Sequence, residues 1–187
     1  NTLRTLPSVE FACGMGEVLK TGLICDADFY EYVLAEHKAI RALDTKALAR
    51  MIRRCCEIKA GVVERDPKEK GERALLNFGH TLGHAIEKLK DFTWLHGECV
   101  AAAYISYQRG LLTEDEYNKI KEGCLLYDLP IQVDGLEDTA VLAATRKDKK
   151  MEQGQVKFVL MKGIGGSFID HTVSDEEMLA GIREILK

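Results

Sequence analysis

The run Leu76-Asn77-Phe78-Gly79-His80-Thr81-Leu82-Gly83-His84-Ala85-Ile86-Glu87 constrains this chain more than any other stretch. His80 and His84 stand four residues apart, so on a helix both imidazoles share one face, one turn apart. A third histidine, His96, follows in Leu95-His96-Gly97-Glu98. Histidines clustered with carboxylates point to a metal site, and the apolar frame places that site within a core. Spacing alone selects His80 with His84 as the ligand pair. His37 and His171 stand apart and read as satisfied core or surface residues.

The 187 residues suffice for one domain with a sizeable core. A net charge of −4 argues against a nucleic-acid partner, since such domains carry a basic excess. No apolar run approaches the roughly 18 residues that span a bilayer, so no membrane partner is expected. Nothing resembles a secretion signal, and the opening Asn1 leads us to expect a processed product or a fragment. The six cysteines, Cys13, Cys25, Cys55, Cys56, Cys99 and Cys124, form no CxxC pair or disulfide-like spacing. We read them as buried free thiols in a reducing, cytoplasmic setting.

The fold class expected is mainly α, a helical metal-binding domain with a small β-hairpin. Apolar periodicity predicts helices over 8–23, 29–42, 45–63 (capped by Asp44 or Thr45), the histidine run, and 96–112. Residues 65–73 read as a polar loop. Thr113-Glu114-Asp115-Glu116 and Ser174-Asp175-Glu176-Glu177 read as capping boxes, the first opening a helix that ends near Tyr127. Between them, residues 156–160 and 167–169 flank a glycine turn and predict a hairpin. No G-x-G-x-x-G follows a strand and no βαβ alternation appears, so the chain shows no nucleotide-binding half.

Asn77 to Glu87 followed by Leu95-His96-Gly97-Glu98 closely resembles the 3-dehydroquinate synthase family. Other pieces agree in order: Thr5-Leu6-Pro7, Gly16-Glu17-Val18-Leu19-Lys20, Lys59-Ala60-Gly61-Val62-Val63, then Asp66, Glu69, Gly71 and Arg73, and finally Asp148-Lys149-Lys150, Gly154 and Phe158-Val159-Leu160. The resemblance covers nearly all of residues 1–187 and implies the family's C-terminal helical metal- and substrate-binding domain. The N-terminal NAD-binding domain would precede Asn1, and the family is commonly a homodimer. One departure is Gly16, where the family usually has alanine. A glycine there loosens a helix by about 1 kcal/mol.

The resemblance implies a divalent metal, Zn2+ or Co2+, held by Glu17, His80 and His96, with NAD bound mostly by the other domain. It makes His84 a substrate-contacting or metal-supporting group rather than a ligand. Lys20, Lys59, Arg73, Asn77 and Lys149 or Lys150 become the substrate-binding set, with His84, Lys20 and Asn77 nearest the chemistry and Glu69 orienting a basic neighbour. Arginine forks and lysine point charges suit a sugar acid phosphate substrate. The implied reaction converts 3-deoxy-D-arabino-heptulosonate 7-phosphate to 3-dehydroquinate and phosphate, with metal as Lewis acid and NAD recycled. Without its nucleotide half, the isolated domain is expected to be inactive.

Three other readings are weighed. A sugar phosphate cyclase of the 2-deoxy-scyllo-inosose synthase type would share the metal ligands, but Arg73 and Asn77 favour dehydroquinate synthase. A metal-dependent alcohol dehydrogenase fits Glu-Val-Leu-Lys and Asn-Phe-Gly-His poorly. A non-catalytic metal-binding domain is the third.

Overall fold

The computed structural model describes residues 2–69, 71–91, 99–148 and 157–187. Within them the chain is mainly helical with one antiparallel hairpin, as the sequence predicts.

Helix α1 (Ser8–Cys25) runs unbroken through Gly16 and buries Met15, Leu19 and Leu23. Helix α2 (Ala27–Ala35) starts at once, because the Asp26 carboxylate caps it by accepting from the Phe29 amide at 2.9 Å. The single helix expected over 29–42 is two, α2 and α3 (His37–Arg41). His37 Nδ1 donates to the Leu34 carbonyl at 2.8 Å, a side-chain bond that competes with the helix ladder at the break. Helix α4 (Thr45–Arg65) is capped by Asp44, which accepts from Lys46 and Ala47 amides, and it packs against α1.

After Arg65 the expected loop is tied down. The Asp66 carboxylate accepts from the Gly71 and Arg73 amides at 2.8 and 3.0 Å, and Arg65 forks onto Glu72. A 3-10 turn (Glu72–Asn77) then leads to α5 (His80–Leu89) through Gly79 at φ 81°. That left-handed conformation reverses the chain between buried Phe78 and His80, and glycine adopts it without strain.

Helix α6 (Cys99–Gln108) is apolar on every side and sits centrally. It ends four residues short of the expected Leu112, and its expected start at His96 lies outside the described residues. Gly110, at φ 69°, donates to Tyr107 while Leu111 donates to Ser106, a Schellman closure that the glycine permits. Both capping boxes form, opening α7 (Glu114–Leu126) and α9 (Asp175–Ile185).

Helix α8 (Asp138–Asp148), which packs against α5 and α9, was not expected from the sequence. Its inward residues are Val141 and Thr145, both fully buried, and the threonine hides the apolar stripe. The Thr145 hydroxyl is satisfied by donating to the Val141 carbonyl at 3.0 Å. Strands β1 (Phe158–Met161) and β2 (Ser167–Asp170) pair Phe158 with Asp170 and Met161 with Ser167; Val156, in the expected first strand, lies outside the described residues. All of β1 is buried, with α6 packed against it.

None of the six cysteines is in a disulfide, but only Cys99 and Cys124 are buried; Cys56 is exposed and the rest are partly covered. Desolvation pushes the Cys55 thiol up to about 11, which keeps it protonated and inert near neutrality. No described helix is long and apolar enough to cross a membrane.

Candidate metal and substrate site

The site gathers where α1, α4 and the start of α5 meet. Glu17 and Lys20 lie one turn apart on α1, and the Lys20 ammonium donates to Glu17 Oε1. The same ammonium lies 2.9 Å from His80 Nε2. From α4, Lys59 reaches the other carboxylate oxygen, Glu17 Oε2, at 3.5 Å. Lys20 is buried, with a side chain only 7% exposed, while Lys59 is half exposed.

Burial alone pushes the Glu17 carboxyl up. The neighbouring His80 ring, the Lys20 ammonium that donates to the carboxylate and the charge of Lys59 outweigh that and hold it far below the usual carboxylate range. Glu17 is therefore an anion under all ordinary conditions.

His80 and His84 do share one face of α5. Their rings stack with centroids 5.0 Å apart and planes 27° apart. Only His80 faces Glu17, its Nε2 lying 3.8 Å from Oε1; His84 is exposed at the rim. Two donors of a tetrahedral zinc, each about 2.0–2.2 Å from the ion, stand roughly 3.3–3.5 Å apart. The Glu17–His80 separation needs only a small contraction to match, and both atoms already converge on one cation. A hard carboxylate oxygen with an imidazole nitrogen suits Zn2+ or Co2+. Among the described residues no third His, Cys, Asp or Glu joins them. His96 lies outside the described residues, as do Lys149 and Lys150.

A second group adjoins the first across the Phe78–Gly79 turn. Glu69 Oε1 accepts from Asn77 Nδ2 at 3.3 Å, and its other oxygen lies 3.8 Å from Arg73 Nε. Glu69 thus bridges Asn77 and Arg73. No role for Asp66 follows from the sequence reading above, yet its carboxylate fixes the backbone that carries Arg73. The signal was available: an acid at a helix end before Pro67, five residues ahead of Gly71.

Comparison with known proteins bears on this arrangement. The family model described as 3-dehydroquinate synthase C-terminal matches residues 14–151. The 3-dehydroquinate synthase of Syntrophotalea carbinolica is 43% identical over 90% of this chain and 48% of its own length. That of Shewanella halifaxensis is 45% identical over 94% of this chain and 51% of its own. The chain spans about half the length of the curated relatives it matches. Among solved structures, 2-epi-5-epi-valiolone synthase from Streptomyces hygroscopicus subsp. jinggangensis 5008, with NAD+ and Zn2+ bound, superposes over 98% of this chain and 53% of its own. The TM-score is 0.88 at 23% identity. A 2-deoxy-scyllo-inosose synthase complexed with carbaglucose-6-phosphate, NAD+ and Co2+ superposes over 97% of this chain and 54% of its own, with TM-score 0.82 at 22% identity. Those two likenesses establish the fold, and the sequence match establishes the family: this chain belongs to the 3-dehydroquinate synthase family, to the part described as its C-terminal domain.

Proposed function

We propose that this chain is the metal- and substrate-binding half of a 3-dehydroquinate synthase, a cytoplasmic enzyme that converts 3-deoxy-D-arabino-heptulosonate 7-phosphate to 3-dehydroquinate and phosphate. An N-terminal NAD-binding domain completes it, and the full enzyme is a homodimer. The observation that carries this reading is the convergence of Glu17 and His80 on one cation, in a chain of this family, beside Lys59. Arg73 and Asn77 follow across a single turn.

Glu17, His80 and His96 would hold the metal, which when bound supplies Lewis acidity at a substrate hydroxyl and carbonyl. The chain's own residues do the positioning. Lys20 and Lys59 supply cations for the carboxylate and phosphate of the substrate, and Arg73 supplies a fork for one of them. Asn77, oriented by Glu69, supplies an amide for hydroxyls. His84, exposed beside His80, stands ready to contact substrate or move a proton at its ring nitrogens. Lys149 and Lys150 complete the anion-binding set. Holding these groups in place before the substrate arrives is where such a site gains rate.

Two measurements test the reading. Zinc content should collapse in His96→Ala and persist in His84→Ala; the reverse result would assign the ligands to the i,i+4 pair. Phosphate release from the sugar acid phosphate with NAD should need the full-length enzyme, so rapid turnover by this chain alone would overturn the two-half arrangement.

A further inference from the structure

We infer that Lys20 gates metal loading: its ammonium and a divalent cation compete for the same two atoms, Glu17 Oε1 and His80 Nε2. The inference rests on the metal reading above and concerns a property that reading does not contain.

An ammonium has donors only, so His80 Nε2 must accept from Lys20 with its ring lone pair. A metal needs that same lone pair. Glu17 Oε1 is likewise shared between the Lys20 hydrogen bond and the metal side of the carboxylate. Lys20 is no passing surface lysine, since its side chain is 7% exposed and enclosed between α1 and α5. A divalent ion within a few ångström of a buried ammonium meets strong like-charge repulsion, because little water screens it. Metal binding therefore requires Lys20 to withdraw.

Lys59 differs in kind. It sits at Glu17 Oε2, 3.5 Å away, on the oxygen that does not face His80. It can stay where it is when a metal binds Oε1. The two lysines on one carboxylate have separate fates: Lys20 is displaced and Lys59 remains. Once displaced, the Lys20 ammonium lacks its anion and is free to meet one on the substrate. Metal loading would then order the two events, with the metal first and the substrate anion second.

The test is zinc affinity of the 187-residue chain by competition with a chromophoric chelator, with cobalt absorption reporting coordination. Lys20→Met should bind zinc at least about tenfold more tightly than wild type, since a competitor has been removed. Lys59→Met should stay within about threefold of wild type. Glu17→Gln should lose the metal. If Lys20→Met binds no more tightly while Glu17→Gln still loses metal, the gate is overturned and the metal site stands. If Glu17→Gln keeps its metal, both fall. Lys20→Gln, neutral but able to hydrogen-bond, substitutes for Lys20→Met if that variant does not fold, with the same expectation.

Discussion

Arg109 and Lys20 are both cations held among acidic neighbours, at opposite functional extremes of the molecule. Arg109 forks onto Glu177 with two bonds of 2.5 and 2.7 Å, and adds Asp170 at 3.1 Å and the Thr172 hydroxyl at 3.3 Å. One positive charge meets two carboxylates, and each of its three nitrogens is bonded to protein. Around Glu17 the ratio is inverted: one carboxylate serves Lys20, Lys59 and the His80 ring. The first cluster is closed on itself and ties the end of α6 to the hairpin and to α9. Among the described residues the second carries a surplus of cation facing an open rim. A surplus that the protein leaves uncompensated is a place where an external anion lowers the energy, which is what a phosphate- and carboxylate-bearing substrate offers.

Reversing charge in the surplus should have the larger effect. Lys59→Glu in the full-length enzyme is expected to lower kcat/KM about a hundredfold or more, chiefly through KM, because an anion-binding cation becomes a repelling one. Stability should change by less than about 1 kcal/mol, since Lys59 is half exposed and its one contact is long. Unchanged kinetics would break the comparison. Arg109→Met should do the opposite. Denaturant unfolding is expected to show a loss of about 2 kcal/mol, as Glu177 and Asp170 lose a charged, partly buried partner. Zinc affinity should not move, and a fall there would mean that the two clusters are coupled.

How much of this could be read from sequence follows the distance over which each contact acts. The capping boxes at Thr113 and Ser174 and the Asp44 cap close within three residues, and all appear where the sequence places them. The common face of His80 and His84 is equally local. The partners of Arg109 lie 61 to 68 positions away, and nothing in the local pattern announced them. Lys20 and His80 are 60 positions apart, and local spacing favoured His84 over any partner on α1. Only the resemblance to a family put Glu17 and Lys20 beside His80. Helix α8 escaped because Thr145 occupies a core position with its hydroxyl turned onto its own helix. The early end of α6 is a different case: Gly110 was a legible stop signal, and the apolar run beyond it outweighed it.

The smallest effect sharpens the comparison from the closed side. The Arg109 hydrogen bond, helped by the Ser174 amide and opposed by burial, holds the Glu177 carboxyl below its ordinary value. A carboxyl whose folded value lies below its unfolded value of roughly 4.3 stabilises the fold above that pH. The stabilisation fades as pH falls through the folded value, because the folded state must then take up a proton that breaks the fork. Glu177→Gln should therefore be less stable than wild type near neutrality by on the order of 1 kcal/mol. The two unfolding free energies should converge as pH falls through that lowered folded value, where Glu177 takes up its proton and resembles the amide. A gap that persists unchanged at low pH would mean that the fork contributes through packing and not through its charge. The closed cluster would then differ from the surplus cluster in burial alone, and charge balance would lose its standing as the sign that separates a structural cation from one that waits for a ligand.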